Sequence, residues 1–365
     1  MESHIRQVLS GIRPLDRRAM DAALARQESL AKPPHSLGRL EDIAVQLSGM
    51  TGQLYNPVQR RRVLIFASDN GIVAEGVASC PQSVTLNQTI NFTRGLTGVA
   101  VLARHFHAEL DVMDVGINAD FEQPGVRNCK LAHGTKNFAV EPAMTRDQAL
   151  EAIGIGIEAA RRAKDDGIEI IGIGEMGIGN TSTSSAVLSA LLDLPAARTV
   201  SRGAGINDTA YARKIEVIDQ AIARWNVDPG DPIDALAKVG GFDLAAMCGA
   251  FIGAASVRLP AVIDGFISAV AALCAHRLNP LCAGYMIPSH ASAERGYRLA
   301  MEAMHLEPML LLNMRLGEGS GCPIAFEVMA AAESVIRDMG TFEEAAIDDG
   351  YLSEIRGNKG FLGEA

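Results

Sequence analysis

Aromatic residues make up only 5% of this 365-residue chain, so a large core has to be built from Ala, Val, Ile, Leu and Met. Hydrophobic residues still reach 48%, enough for a sizeable interior, and the length suggests about two domains. Basic charge is also scarce, with a net charge of −10 and a pI near 5.3. Nucleic acids and anionic membranes attract a positive field, so neither is an expected partner. A local positive site for one phosphate is not excluded. The six cysteines (Cys80, Cys129, Cys248, Cys274, Cys282, Cys322) include no Cys-x-x-Cys pair, which argues against a zinc site or a disulfide framework. No His-x-x-x-His pair or carboxylate cluster has metal-ligand spacing, so no metal is expected. The opening Met-Glu-Ser-His-Ile-Arg lacks a signal-peptide apolar stretch. The longest uncharged apolar run, Leu244 to Val257, is too short to span a bilayer. A reduced, soluble, cytoplasmic protein is the expectation.

What is present is alternation. Short apolar runs at Arg62 to Ala67, Leu110 to Val115, Ile168 to Ile173, Pro260 to Ile263 and Gly284 to Ile287 read as strands buried on both faces. Helical patterns lie between them. The clearest starts at Thr145, with Gln148 three residues on as a capping box, and stops near Gly167. Such alternation predicts an α/β fold with a parallel sheet, and ligands then sit beyond the carboxyl ends of the strands. Near the amino end, Pro14 to Lys32 reads as a helix broken by Pro33-Pro34, and Leu40, Ile43, Ala44 and Leu47 recur at helical spacing. A last helix spans Pro323 to Met339.

Five strand-end loops can carry chemistry. Ser68-Asp69-Asn70-Gly71 is a tight turn or a ligand loop. Gly172 to Thr181 contains a formal G-x-G-x-x-G, the basis of a distant alternative, an NAD-dependent oxidoreductase. Glu175 inside that turn would oppose a pyrophosphate, whereas the amides of Gly179, Asn180 and Thr181 suit a single phosphate at a helix start. Ser201 to Gly205 combines small residues with a later cation, Lys214. Asp264 and the segment Ser289-His290-Ala291-Ser292 end two further strands; His290 reads as a structural histidine. The fifth loop, Arg315 to Pro323, carries Glu318 between glycines. Shielded by neighbours such as Leu316, Glu318 would gain a pKa suited to a base; equally, it would favour the start of the following helix as a charge.

These loops, in this order, resemble the nicotinate-nucleotide:dimethylbenzimidazole phosphoribosyltransferase family. The likeness rests on Lys-Pro-Pro-His-Ser-Leu-Gly-Arg-Leu-Glu at 32–41, Val-Gly-Gly-Phe-Asp-Leu-Ala-Ala-Met at 239–247, Ser-His-Ala-Ser-Ala-Glu at 289–294 and Met-Arg-Leu-Gly-Glu-Gly-Ser-Gly at 314–321. It implies a Rossmann-like parallel sheet flanked by helices and a small helical domain formed from both chain ends. Residues 1–50 would contribute to the small domain, 60–320 would form the large catalytic domain, 321–345 would return to the small one, and 346–365 would be a tail. The implied reaction moves ribose 5-phosphate from nicotinate mononucleotide to 5,6-dimethylbenzimidazole in cobalamin assembly, giving α-ribazole 5′-phosphate and nicotinate. A phenol or a purine is the alternative acceptor. No cofactor is implied; the expected partner is a second copy, or a paralogue in a heterodimer. By the same resemblance Glu318 is the base and Glu175 its assistant, while Cys80, Gln88, Met176, Ile178 and Leu316 meet the accepting base. Gly177, Asn180, Thr181, Gly203, Lys214, Asp264 and Ser292 hold the phosphate, ribose and nicotinate. Asn70 and Cys80 depart from the family's pattern, in loops expected on the acceptor side.

Overall fold

In the computed structural model, which describes residues 1–203 and 205–352, the five apolar runs and one further segment form six parallel strands. They are β1 (Arg61–Ser68), β2 (Ala108–Gly116), β3 (Val126–Asn128), β4 (Ile170–Met176), β5 (Ala261–Ile263) and β6 (Met286–Pro288). Their order in the sheet is β3-β2-β1-β4-β5-β6. Winding therefore proceeds one way from β1 and then reverses, which leaves a switch point between the ends of β1 and β4 where an open α/β sheet takes its ligand. The register pairs Ala67 with Met176, so the two strands end side by side. Helices covering both faces explain why Val63, Leu64, Ile65 and Phe66 are fully buried in an unbroken run. β3 is the strand that composition conceals: three residues, half-buried or exposed, with no apolar run.

The capping box at Thr145 and Gln148 is present and opens helix Arg146–Asp165. This helix packs against Phe242–Ser256 at backbone distance. A Cβ at Gly156 would lie 1.8 Å from the Ala246 carbonyl oxygen, and one at Gly249 1.9 Å from that of Ile153. Small residues thus let the Phe242–Ser256 helix sink beneath the sheet, with nearly all its side chains buried. Its amino end, bearing Asp243, comes up under the switch point.

The described chain separates into two compact units, residues 1–13 with 60–325, and residues 14–59 with 326 onward. The sheet and all five strand-end loops belong to the first. It also claims an amino-terminal helix, Glu2–Gly11, that sequence patterning did not reveal and that buries Ile5 and Val8. Residues 1–13 thus differ from the expectation that 1–50 group together. In the second unit the helix expected from Pro14 begins at Arg17, because Asp16 caps it by accepting from the Ala19 amide. There a buried Lys32–Glu41 ion pair closes at 2.7 Å, and Arg26 donates to the carbonyls of Ile336 and Met339. The tail expected over 346–365 lies, from 353 on, outside the described residues. Among those described, no helix is long and apolar enough to cross a membrane.

Candidate active site

At the switch point the loop bearing Glu318 lies directly on β4. Gly174 makes this possible, since a Cβ there would sit 2.5 Å from the Gly319 nitrogen. Gly317, Glu318 and Gly319 all take left-handed backbone angles, with φ of 81°, 63° and 80°. For glutamate that conformation costs energy and needs outside support. Two carboxylates supply it. Asp264 accepts from the Gly319 amide at 3.0 Å and the Gly321 amide at 2.6 Å, and Glu175 accepts from the Glu318 amide at 3.3 Å.

The Glu318 side chain is buried, and one oxygen accepts from Gln88 Nε2 at 2.8 Å. Its other oxygen, Oε2, is enclosed with no partner in normal hydrogen-bond geometry and faces the Gly98 and Val99 amides at the start of helix Gly98–His105. A Cβ at Gly98 would meet Leu316 Cδ2 at 2.5 Å, while standing in ordinary contact with Oε2 at 3.6 Å. Burial pushes the Glu318 carboxyl above its ordinary value, and the Gln88 amide with the first backbone amides of that helix holds the rise back. Its neighbour Glu175 is pushed further, to about 8, by burial first and then by the charges of Asp243, Asp264 and Glu318. Asp243 and Asp264 are each driven to about 7, again chiefly by burial. Four carboxylates thus crowd one low-dielectric site, and they cannot all be ionised at neutral pH.

Beside this cluster a cleft opens between the Gly177–Thr181 turn and the segments around Cys80 and Arg202. It is lined by Cys80, Gly177, Asn180, Thr181, Gly203 and Lys214 among others. Gly179, at φ 95°, precedes helix Asn180–Leu192, whose amino end borders the cleft; the amides of Asn180, Ser182 and Thr183 already donate to the Gly177 and Gly179 carbonyls, which leaves that of Thr181 to meet an anion. Lys214 is 1% exposed and donates to Thr181 Oγ1 at 2.8 Å. Burial lowers its pKa to about 8, and the Glu294 charge holds the fall back. Asn180 joins the two halves, lining the cleft while its amide donates to Glu175 Oε2.

A family model described as phosphoribosyltransferase matches residues 12–347. A nicotinate-nucleotide–dimethylbenzimidazole phosphoribosyltransferase of Clostridium perfringens (strain ATCC 13124) is 51% identical over 358 residues, covering 98% of this chain and 99% of its own. The enzyme of that name from Ruminiclostridium cellulolyticum is 49% identical over 342 residues, covering 94% and 97%. The crystal structure of CobT from Thermus thermophilus superposes with a TM-score of 0.88 at 37% identity, over 91% of this chain and all of that one. The chain belongs to the nicotinate-nucleotide–dimethylbenzimidazole phosphoribosyltransferase family.

Within this phosphoribosyltransferase fold, Glu318, Glu175 and Gln88 come together, and Gly177, Asn180, Thr181, Gly203 and Lys214 share the cleft. Met176 is buried at the end of β4, and the amide of half-buried Ile178 donates to Thr85 Oγ1 at 3.1 Å. Ser292 Oγ accepts from the Glu294 amide at 3.3 Å, and the Glu294 charge acts on Lys214. Four placements differ from the reading of the sequence. Cys80 lines the cleft with Lys214 rather than the side of Gln88 and Glu318. Leu316 is 58% exposed, with its Cδ2 set against Gly98, so it gives Glu318 less cover than the sequence suggests. Asp264, 2% exposed, spends both oxygens on loop amides, which makes it a support of the glutamate loop rather than an open ribose ligand. Asn70, fully buried, lies behind the Gly177–Gly179 turn, with Nδ2 3.5 Å from the Ile178 carbonyl oxygen, and is not an acceptor contact. His290 is a structural histidine, buried with Nδ1 3.0 Å from Ser289 Oγ. Gly98 and Asp243 escaped the sequence reading. A glycine opening an apolar helix carries no local signal, and Asp243, though within the 239–247 segment that carries the family likeness, gives no local sign that it acts on Glu175.

Proposed function

We propose that this chain transfers ribose 5-phosphate from nicotinate mononucleotide to an aromatic nitrogen base, 5,6-dimethylbenzimidazole as in the names of its relatives, with Glu318 as general base. The observation that carries the assignment is the Glu318 carboxylate: buried, held by Gln88, and with Oε2 lacking a partner in normal hydrogen-bond geometry beside the switch point. In the donor, nicotinate is bound through a positively charged ring nitrogen. As the acceptor's free ring nitrogen attacks C1′, the C1′–N bond breaks and its electron pair returns to the nicotinate ring. No acid is needed for that departure. The acceptor gains positive charge and loses the proton on its other nitrogen, which Glu318 takes.

Glu175, driven to about 8, keeps its proton at neutral pH, so one negative charge rather than two faces the reaction. Lys214 and Thr181, with the Thr181 amide at the start of helix Asn180–Leu192, hold the phosphate, with Gly177 and Gly203 allowing its approach. Ser292 lies on the nicotinate side. Met176, Ile178 and Leu316 offer apolar surface for the flat acceptor, and Cys80 contacts the donor's phosphate end. Fixing both reactants supplies much of the remaining acceleration. The working protein is a cytoplasmic homodimer in this reading, its small helical unit drawn from both chain ends.

The decisive experiment is nicotinate release from nicotinate mononucleotide across a panel of benzimidazoles, purines and phenols. Glu318→Gln should bind both substrates and lose about 10²- to 10⁴-fold in kcat. Unchanged turnover in that variant would remove Glu318 from the role of base.

A further inference from the structure

One buried acid has no part in the chemistry so far. Asp243 is fully buried at the start of helix Phe242–Ser256. Its Oδ1 accepts from the Leu244 amide at 2.9 Å, while Oδ2 is enclosed without a partner in normal hydrogen-bond geometry. The position is tightly surrounded. A Cβ at Gly177 would come within 2.8 Å of Oδ2 and 3.1 Å of Asn70 Nδ2, and one at Gly241 within 2.3 Å of Oδ1. The side-chain amides of Asn180 and Asn70 both bear on its carboxylate and favour its charged form. Asn180 therefore stands between two acids, with Glu175 on one side and Asp243 on the other.

We propose that Asp243 is a positioning residue for the transfer reaction: through Asn180 it holds Glu175 in the orientation and protonation that Glu318 requires. This rests on the reaction assigned above. A carboxylate with an unpaired oxygen in a dry interior costs stability, and asparagine of the same shape would fill the space more cheaply. Its presence there suits a functional demand, since strain and unpaired charge collect at reaction sites. The charge of Asp243 is the largest electrostatic influence on Glu175 after burial itself, ahead of Asp264 and Glu318. Facing the cluster are Glu175 on β4, Asp264 after β5 and Glu318 in its loop. Asp243 thus keeps Glu175 neutral, and Asn180 transmits the effect while its own backbone shapes the phosphate turn.

Asp243→Asn tests this. The variant should fold and melt, at pH 8, at or above the wild-type temperature. Its kcat for nicotinate release should fall about 10- to 100-fold with little change in the KM for nicotinate mononucleotide. Without the Asp243 charge Glu175 ionises more easily, so the alkaline limb of the kcat–pH profile should move about one unit lower. Asn180→Ala removes the go-between, and adding Asp243→Asn to it should leave that limb where Asn180→Ala alone puts it. Wild-type kcat and an unmoved profile in Asp243→Asn would overturn the inference. So would loss of folding, or of melting temperature in step with kcat, as would independent effects in the double variant. A wild-type protein that released no nicotinate with any acceptor would instead strike the assigned reaction, while the melting comparison, which needs no substrate, still reads the state of Asp243.

Discussion

An aspartate and a glutamate at this site look alike in sequence and do different work. Glu318 offers an oxygen without a partner in normal hydrogen-bond geometry, whereas both oxygens of Asp264 are committed to the amides of Gly319 and Gly321. Asp264→Ala would leave those amides unsatisfied and release a loop in left-handed conformation. A loss of about 1–3 kcal/mol is expected, together with a fall in kcat. Denaturant unfolding alongside kinetics checks it, and intact stability would contradict the support role. By contrast, Glu318→Gln should cost turnover alone. Sequence shows why Glu318 draws attention, a carboxylate among glycines ahead of a helix. It does not show why Asp264 is unavailable to a ribose, because its partners lie 55 and 57 residues away. Asn70 and Cys80 illustrate the same limit: adjacency in a loop says nothing of which way a side chain faces. The one is buried behind the turn and the other lines the cleft beside Lys214.

At the level of the element, local chemistry is most legible where it is self-contained. The helix Arg146–Asp165 announces itself through Thr145 and Gln148, and each of those side chains satisfies the other's backbone amide. Thr145→Ala should therefore cost about 1 kcal/mol, measurable as a lower denaturation midpoint, with activity unchanged at ambient temperature. A neutral effect would mean tertiary packing alone fixes this helix end. The five longer apolar runs declare themselves as strands for a similar reason, since burial on both faces leaves no polar alternation to interpret. β3 does not: an edge strand of three residues that buries nothing has no hydrophobic pattern to display. The Glu2–Gly11 helix carries only Ile5 and Val8 as buried positions, a faint stripe beside the strong signals elsewhere.

For the whole molecule, the buried acids set how stability responds to pH. Glu175 at about 8, and Asp243, Asp264 and Glu333 at about 7, all hold protons more tightly folded than unfolded. Their contribution is complete below the ordinary carboxylate range and is lost as pH rises through 7 to 8. Lys214, lowered to about 8, acts oppositely but only between there and its ordinary value, while His276 and His290, both lowered by burial from 6.5, offset part of the loss below that pH. Melting temperature should accordingly decline from about pH 5 to pH 8. A flat or rising curve would show these acids to be ionised and paired. The separations of the residues that meet Glu318 have one more implication. Its carboxylate is held by a residue 230 positions earlier and its amide by one 143 positions earlier. During synthesis, then, Gln88 and Glu175 emerge long before the loop they will steady, and β1 and β4 can pair while the reaction centre is still unborn. A ribosome must make almost the whole first unit before Glu318 exists to meet them.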